Sequence, residues 1–211
     1  MHCHLLPHVD DGFVEWENLD SYLSLYKRCG FSGVIFTPHL YDPYVRTDVM
    51  ALRSAWARAG EMAGAMGLFS ALASEIYVSD QEVVKGIPAL GKYALVEFNI
   101  DYAPSAFFEK LESLSPLIPI IAHIERYKWL SPESETVREL KERGYLIQVN
   151  GKALKKGGKA KEYVDAGLVD LLASDCHGNK EDIIDLAEMI SSHPDIMSKM
   201  SQMARHLKEV V

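Results

Sequence analysis

Short, nearly continuous apolar runs alternate along the chain with longer amphipathic stretches. The apolar runs, which lean toward β-branched residues, are Gly33–Phe36, Leu68–Ala73, Tyr93–Phe98, Ile118–Ala122, Tyr145–Val149 and Leu168–Ala173. Most are bounded by Gly or Pro. Their unbroken apolar character fits strands covered on both faces, as in a parallel sheet, better than strands with one wet face. Between them, helical spacing runs over Trp16–Cys29, Thr47–Met66, Pro104–Leu114, Glu133–Arg143, Ala160–Ala166 and Lys180–Ile190, with a last helix over Asp195–Val210. With the opening residues as a short first strand, this makes about seven βα units, a barrel-like α/β fold. No low-complexity segment or shift of composition marks a linker, so residues 1–211 read as a single domain. The lysine-rich segment Lys155–Lys161 reads as the solvated start of a helix.

Polar residues gather where the apolar runs end. The first strand carries His2-x-His4 and leads into His8-Val9-Asp10-Asp11-Gly12. Later runs end in Thr37-Pro38-His39, Ser74-Glu75, Glu97-Phe98, Ala122-His123, Val149-Asn150 and Ser174-Asp175-Cys176-His177. In an α/β barrel the carboxyl ends of the strands share one face, and residues two apart on a strand point the same way. Each motif has an ordinary explanation: an HxH arises by chance, Glu75 and Glu97 cap helices, and Asp-Gly is a turn. Those explanations would all have to hold together, for five of the eight histidines and several carboxylates. A multinuclear metal site accounts for them at once. Mixed imidazole and carboxylate donors suit manganese, iron or zinc and disfavour a thiolate site, and about nine ligands are too many for one ion but right for two or three. Closely spaced divalent ions serve phosphoester hydrolysis. Arg126, just past a strand end, is placed to grip phosphate oxygens, the alternative being a salt bridge to Glu125 or a neighbouring acid.

Composition narrows the partners. The chain has 22 Lys and Arg against 30 Asp and Glu, a formal charge of −8, which argues against non-specific nucleic-acid or anionic-membrane binding. No apolar run approaches the ~18 residues that span a bilayer, which argues against membrane insertion. The opening Met-His-Cys-His lacks the regions of a signal peptide, and three cysteines without a CxxC predict a reducing, cytoplasmic setting. No Cys is followed six positions on by Arg, and neither GxSxG nor HExxH occurs, so cysteine-nucleophile, serine-elbow and zinc-protease chemistries find no motif. Gly86–Lys92 imitates a P-loop, but Tyr93 stands where the Mg²⁺-binding hydroxyl belongs, and the segment precedes a strand. Trp16, Tyr41, Tyr44, Tyr127 and Trp129 flank the candidate ligands. Most read as packing, with one or two left to line a pocket for an aromatic substrate.

The set His-x-His-x-x-Pro-x-x-Asp-Asp-Gly, Thr-Pro-His, Ser-Glu-Ile, Val-Glu-Phe, Ile-Ala-His-Ile-Glu-Arg-Tyr, Gln-Val-Asn and Ala-Ser-Asp-Cys-His resembles the PHP (polymerase and histidinol phosphatase) superfamily, in order from His2 to about Asn179. Within it the motifs are most similar to the manganese-dependent tyrosine-protein phosphatases of bacterial capsule and exopolysaccharide systems. The resemblance implies a distorted (β/α)7 barrel of the PHP type. It also implies a centre of two or three divalent ions, manganese foremost, on His2, His4, Asp11, His39, Glu75, Glu97, His123, Asp175 and His177. Glu75 would bridge the ions and Arg126 would bind the phosphate. The implied substrate is a phosphotyrosine tail on a tyrosine kinase of polysaccharide export, cleaved by in-line attack of a metal-bound hydroxide without a phosphoenzyme. An oligomer is left open. Between Asp10 and Asp11, spacing from His2 favours Asp11. Two departures stand out: only Met1 precedes His2, where the family has a few strand residues, and His8 replaces a usual Gly or Asp and reads as a bystander. The alternatives are another phosphoesterase of the superfamily, such as a histidinol-phosphate phosphatase or a nucleotide or DNA phosphodiesterase, and a non-catalytic interaction module stabilised by metal.

Overall fold

A computed structural model describes residues 2–80 and 85–205. The strands are β1 (Gly33–Phe36), β2 (His39–Leu40), β3 (Phe69–Leu72), β4 (Glu75–Tyr77), β5 (Tyr93–Glu97), β6 (Ile118–Ile121), β7 (Leu146–Asn150) and β8 (Leu171–Ala173). They pair only in parallel, as the unbroken apolar runs predict, with β1 beside β3 and the rest in the order β2-β4-β5-β6-β7-β8. β1 and β2 are halves of one path broken at Thr37-Pro38, and β3 and β4 are halves of the next, broken at Ala73-Ser74. Hydrogen bonds from Ala73 N to Phe36 O (2.8 Å) and from Glu75 N to Pro38 O (3.2 Å) carry the pairing across both breaks.

The predicted first strand is reduced to a single bridge, Cys3 to Cys176. Its backbone nevertheless alternates like a strand. His4 N donates to Cys176 O and Asp175 N to His2 O on one side, while Thr37 N donates to Cys3 O on the other. Thr37 Oγ1 then stands in for a backbone acceptor, receiving Cys3 N at 3.0 Å. Residues 2–4 therefore close the ring between the ends of β8 and β1. The result is the distorted barrel that the motifs imply.

Helices α1 (Leu19–Arg28), α2 (Val49–Ala65), α3 (Phe107–Glu112), α4 (Glu135–Glu142), α5 (Gly151–Lys156), α6 (Lys159–Asp165), α7 (Glu181–Ser192) and α8 (Pro194–Arg205) follow the predicted segments, with one addition. The lysine-rich segment is not one helix start but the end of α5 and the start of α6, parted by Gly157 (φ 83°) and Gly158 (φ 60°). The last helix was expected to reach Val210; positions 206–211 lie outside the described residues. Inside the ring, Ile35, Tyr93, Leu95, Ile120 and Leu171 form a buried apolar plug. Because strand side chains alternate with period two, the next inward positions on β5 and β7 are Glu97, Gln148 and Asn150. The plug thus floors a polar layer at the carboxyl ends of the strands.

Two glycines report opposite constraints. α5 lies so close to α7 that a Cβ on Gly151 would sit 2.6 Å from Leu186 Cα, whereas a Cβ on Gly64, exposed in α2, would meet nothing within 4 Å. Gly151→Ala should therefore lower stability by about 1–3 kcal/mol, while Gly64→Ala should raise it by about 0.5–1 kcal/mol through helix propensity. Urea denaturation midpoints of the two variants check both signs.

Candidate metal centre

The local folds aim the predicted ligands at one point. His39 opens β2 and Glu75 opens β4, and the two are direct partners in register. Glu97 ends β5. His123 (φ 32°) and Asp175 (φ 48°) follow β6 and β8 in the left-handed region, uncommon for residues other than glycine, which turns the chain back at the barrel mouth. His2 and His4 come from the closing segment.

Glu75 is the hub. Its Oε2 lies 3.0 Å from His2 Nε2, 3.0 Å from His4 Nε2 and 3.7 Å from His39 Nδ1, while Oε1 lies 2.9 Å from His123 Nε2. Asp175 Oδ1 is 3.3 Å from His2 Nε2. Asp11 Oδ1 approaches His177 Nε2 at 3.4 Å and His39 Nε2 at 3.7 Å. Three overlapping groups result: His4, Asp11, His39 and His177; His2, His4, Glu75 and Asp175; and His39, Glu75 and Glu97. In each, one donor atom from every residue lies within 4.8 Å of the others. His123 joins through Glu75 and lies 3.8 Å from Glu97. All the predicted ligand positions are brought together.

The donor chemistry fits cations. His39 Nδ1, Glu97 Oε1 and Asp175 Oδ1 are buried without a hydrogen-bond partner. His39 Nδ1 and Glu97 Oε1 are only 2.9 Å apart yet misaligned for a bond. Buried polar atoms are seldom left this way, and these converge where ions would sit. The thiols of Cys3 and Cys176 take no part, bonding instead to Ile35 O and Asn179 O.

Charges inside the cluster are strongly displaced. Burial alone would protonate Glu75, but His2, His123 and His4 hold it well below the usual carboxylate range. Burial likewise opposes charge on His4, yet Asp10 and Glu75 lift it well above the usual histidine value. His39 is lifted to about 9 against its burial, chiefly by Glu97. Glu97 is itself pushed up to about 8 by burial and by the charge on Glu75. Asp175 is lowered, despite burial, by His2 and Arg126.

Several orienting residues carried no assigned role in the sequence reading. Asp10 accepts a hydrogen bond from His4 Nδ1 at 2.7 Å and another from His39 N at 3.1 Å, so it sits behind the cluster while Asp11 faces it. Gln148 Oε1 accepts from His2 Nδ1 at 3.1 Å; its amide donates to Asn150 Oδ1, and Asn150 donates to Asp175 Oδ2. Each such bond leaves the opposite imidazole nitrogen pointing inward. The signal for Gln148 and Asn150 was their position, polar and two apart in an otherwise apolar run. Asp42 Oδ2 adds a carboxylate 3.6 Å from His39 Nδ1.

Arg126 is half-exposed at the edge of a cavity of about 350 Å³ and is paired with Asp175, a neighbouring acid, rather than with Glu125. Among the flanking aromatics, Tyr127 is buried, Trp16 lies under Arg58, and Tyr41 and Tyr44 are exposed. His8 stands apart, on the surface beside Glu15, and Lys155 and Lys161 are engaged by Asp185 and Asp165. Asp10→Asn, which removes the anionic acceptor of His4, should weaken divalent-ion affinity by about 10–100-fold without unfolding the chain. Chelator competition alongside circular dichroism checks it.

Comparison with known proteins places this arrangement. A family model described as capsular polysaccharide synthesis, CpsB/CapC, matches residues 1–200. The tyrosine-protein phosphatase CpsB of Streptococcus pneumoniae is 28% identical over 200 residues, covering 84% of this chain and 82% of the relative. The tyrosine-protein phosphatase YwqE of Bacillus subtilis (strain 168) is 28% identical over 197 residues, covering 85% and 77%. The crystal structures of YwqE and CpsB, described as unique metal-dependent tyrosine phosphatases, include a chain that superposes with a TM-score of 0.74 at 25% identity, covering 91% of this chain and 85% of that one.

Proposed function

Since the chain belongs to the CpsB/CapC family of capsular polysaccharide synthesis, we propose that it is a metal-dependent phosphatase of phosphotyrosyl proteins. The observation that carries this reading is the buried Glu75 carboxylate within 4 Å of four imidazoles, with Arg126 at the rim. His2, His4, Asp11, His39, Glu75, Glu97, His123, Asp175 and His177 would hold two or three divalent ions, manganese foremost with iron or zinc as alternatives. When bound, such ions supply a nucleophile from water at neutral pH and stabilise charge on the phosphoryl oxygens.

The protein's own part is positioning. Asp10 and Gln148 fix the tautomers of His4 and His2, and Asn150 steadies Asp175. The apolar plug closes the barrel from beneath, so the phosphate enters only from the open face. There Arg126 meets it: Asp175 engages one end of the guanidinium, whose five N–H groups leave donors for phosphate oxygens. Residues 1–211 work as a single catalytic domain. The physiological substrate is the phosphotyrosine tail of a tyrosine kinase that governs polysaccharide export, met in the cytoplasm. Among the described residues, no helix is long and apolar enough to cross a membrane.

Purified protein with Mn²⁺ should release phosphate from phosphotyrosine, and excess chelator should abolish the release. Far faster turnover of histidinol phosphate would instead assign it to the other phosphatase branch. Arg126→Ala should reduce kcat/KM by about 100-fold, the scale of losing one stabilising donor at a reacting oxyanion. Metal content by elemental analysis should stay near wild type. Loss of metal together with activity would make Arg126 a structural partner of Asp175.

A further inference from the structure

Two hollows meet beside the cluster. The first, about 350 Å³, opens over His39, Glu75 and Arg126. The second, about 370 Å³, lies beyond it and is walled by Pro43, Tyr102 and Pro104. Tyr44, Tyr77 and Asn99 line both, so the two adjoin across a shared wall. The Tyr44 and Tyr77 rings meet edge to face with centroids 5.5 Å apart. Tyr44 is 72% exposed and Tyr102 57%, and Ile100, on the wall of the first hollow, is 47% exposed. Apolar and aromatic surface concentrated at the mouth of a site marks a place where something binds.

The charge of the second hollow is one-sided. Among the described residues, Asp80 is the only charged one in its lining, accepting from Ser105 N at 2.6 Å, and neither Lys nor Arg contributes to it. An acidic side chain placed there would lose water and find no countercharge, whereas an apolar or basic one would not suffer this.

We infer that the second hollow takes the polypeptide next to the phosphotyrosine and selects segments with apolar or basic neighbours over acidic ones. This rests on the phosphatase reading and deepens it. With the phosphate at Arg126 and the ligand cluster, the substrate's ring occupies the first hollow against Tyr44 and Tyr77. The attached chain leaves across their shared wall, over Tyr102 and the two prolines. Tyr102 is the specificity-determining residue on this account, acting on the peptide and not on the bond that breaks.

The test uses Mn²⁺-loaded protein and three substrates: free phosphotyrosine, a short phosphotyrosyl peptide with Val and Ala neighbours, and the same peptide with Glu neighbours. The apolar peptide should exceed the acidic one in kcat/KM by about tenfold. Tyr102→Ala should lower the ratio of apolar-peptide to free-phosphotyrosine kcat/KM by about fivefold, the scale of one lost aromatic contact. Tyr102 is exposed, and an unchanged melting temperature confirms that the variant folds. Equal or better turnover of the acidic peptide, or equal proportional losses on peptide and free phosphotyrosine, would overturn the inference and leave the phosphatase reading standing. No turnover of any of the three by the wild-type protein would overturn the phosphatase reading and this inference with it.

Discussion

A buried carboxylate among imidazoles is the constraint around which the rest is arranged. Glu75 is 1% exposed and carries charge despite that burial. An isolated ionised carboxylate in a protein interior costs many kcal/mol unless it is compensated. Compensation here comes from four histidines drawn from three separate places: the closing segment, the start of β2 and the turn after β6. None of them can be supplied locally. The barrel has to close before the charge is satisfied, so ring closure and site formation are one event.

That coupling accounts for the irregular parts of the fold. A regular strand over residues 2–4 would pair along its length. What is found is a single bridge, Cys3 to Cys176, with Thr37 Oγ1 standing in for a backbone acceptor on the other side. His2 is held despite having so little strand around it: Asp175 N and Ser174 Oγ both donate to its carbonyl, at 3.0 and 3.1 Å. The left-handed backbones of His123 and Asp175 belong to the same economy. A non-glycine residue in that region is unfavourable by roughly 1–3 kcal/mol, and it persists where the surroundings fix the side chain. Here the surroundings are Glu75 and Tyr127 for His123, and Arg126 and Asn150 for Asp175.

Much of this was legible along the chain, for a physical reason. Parallel strands are covered on both faces, so a polar residue at a strand end has to be there for something other than solvation, and the ligand positions stand out against apolar runs. Asp11 was favoured over Asp10 on spacing, and the structure turns Asp11 to the cluster while burying Asp10 behind His4. Less legible were features that depend on three-dimensional neighbours. The role of Gln148 becomes visible only when β7 is known to face the closing segment 146 residues away. Helix α5 was hidden because Gly151 at its start and Lys155 and Lys156 at its end imitate a loop. Its glycine is required by the backbone of α7, which periodicity does not report. The breaks that divide β1 from β2 and β3 from β4 were equally silent, since pairing continues across them.

Charge ties the site to the kind of molecule it can accept. The chain's −8 is a global quantity, but many of its acids are committed. Glu75, Glu97, Asp10, Asp11 and Asp175 face histidines or Arg126, and ions bound among them would reverse the sign of the local field. An anionic group small enough to reach that layer is attracted. A long polyanion is not, because the net charge of the chain opposes it and Asp80 stands at the same mouth. Phosphate carried on a single aromatic side chain satisfies both conditions. On the proposed reading its charge would pass into the reversed field, its ring would lie against Tyr44 and Tyr77, and uncharged or basic chain would be left over Asp80.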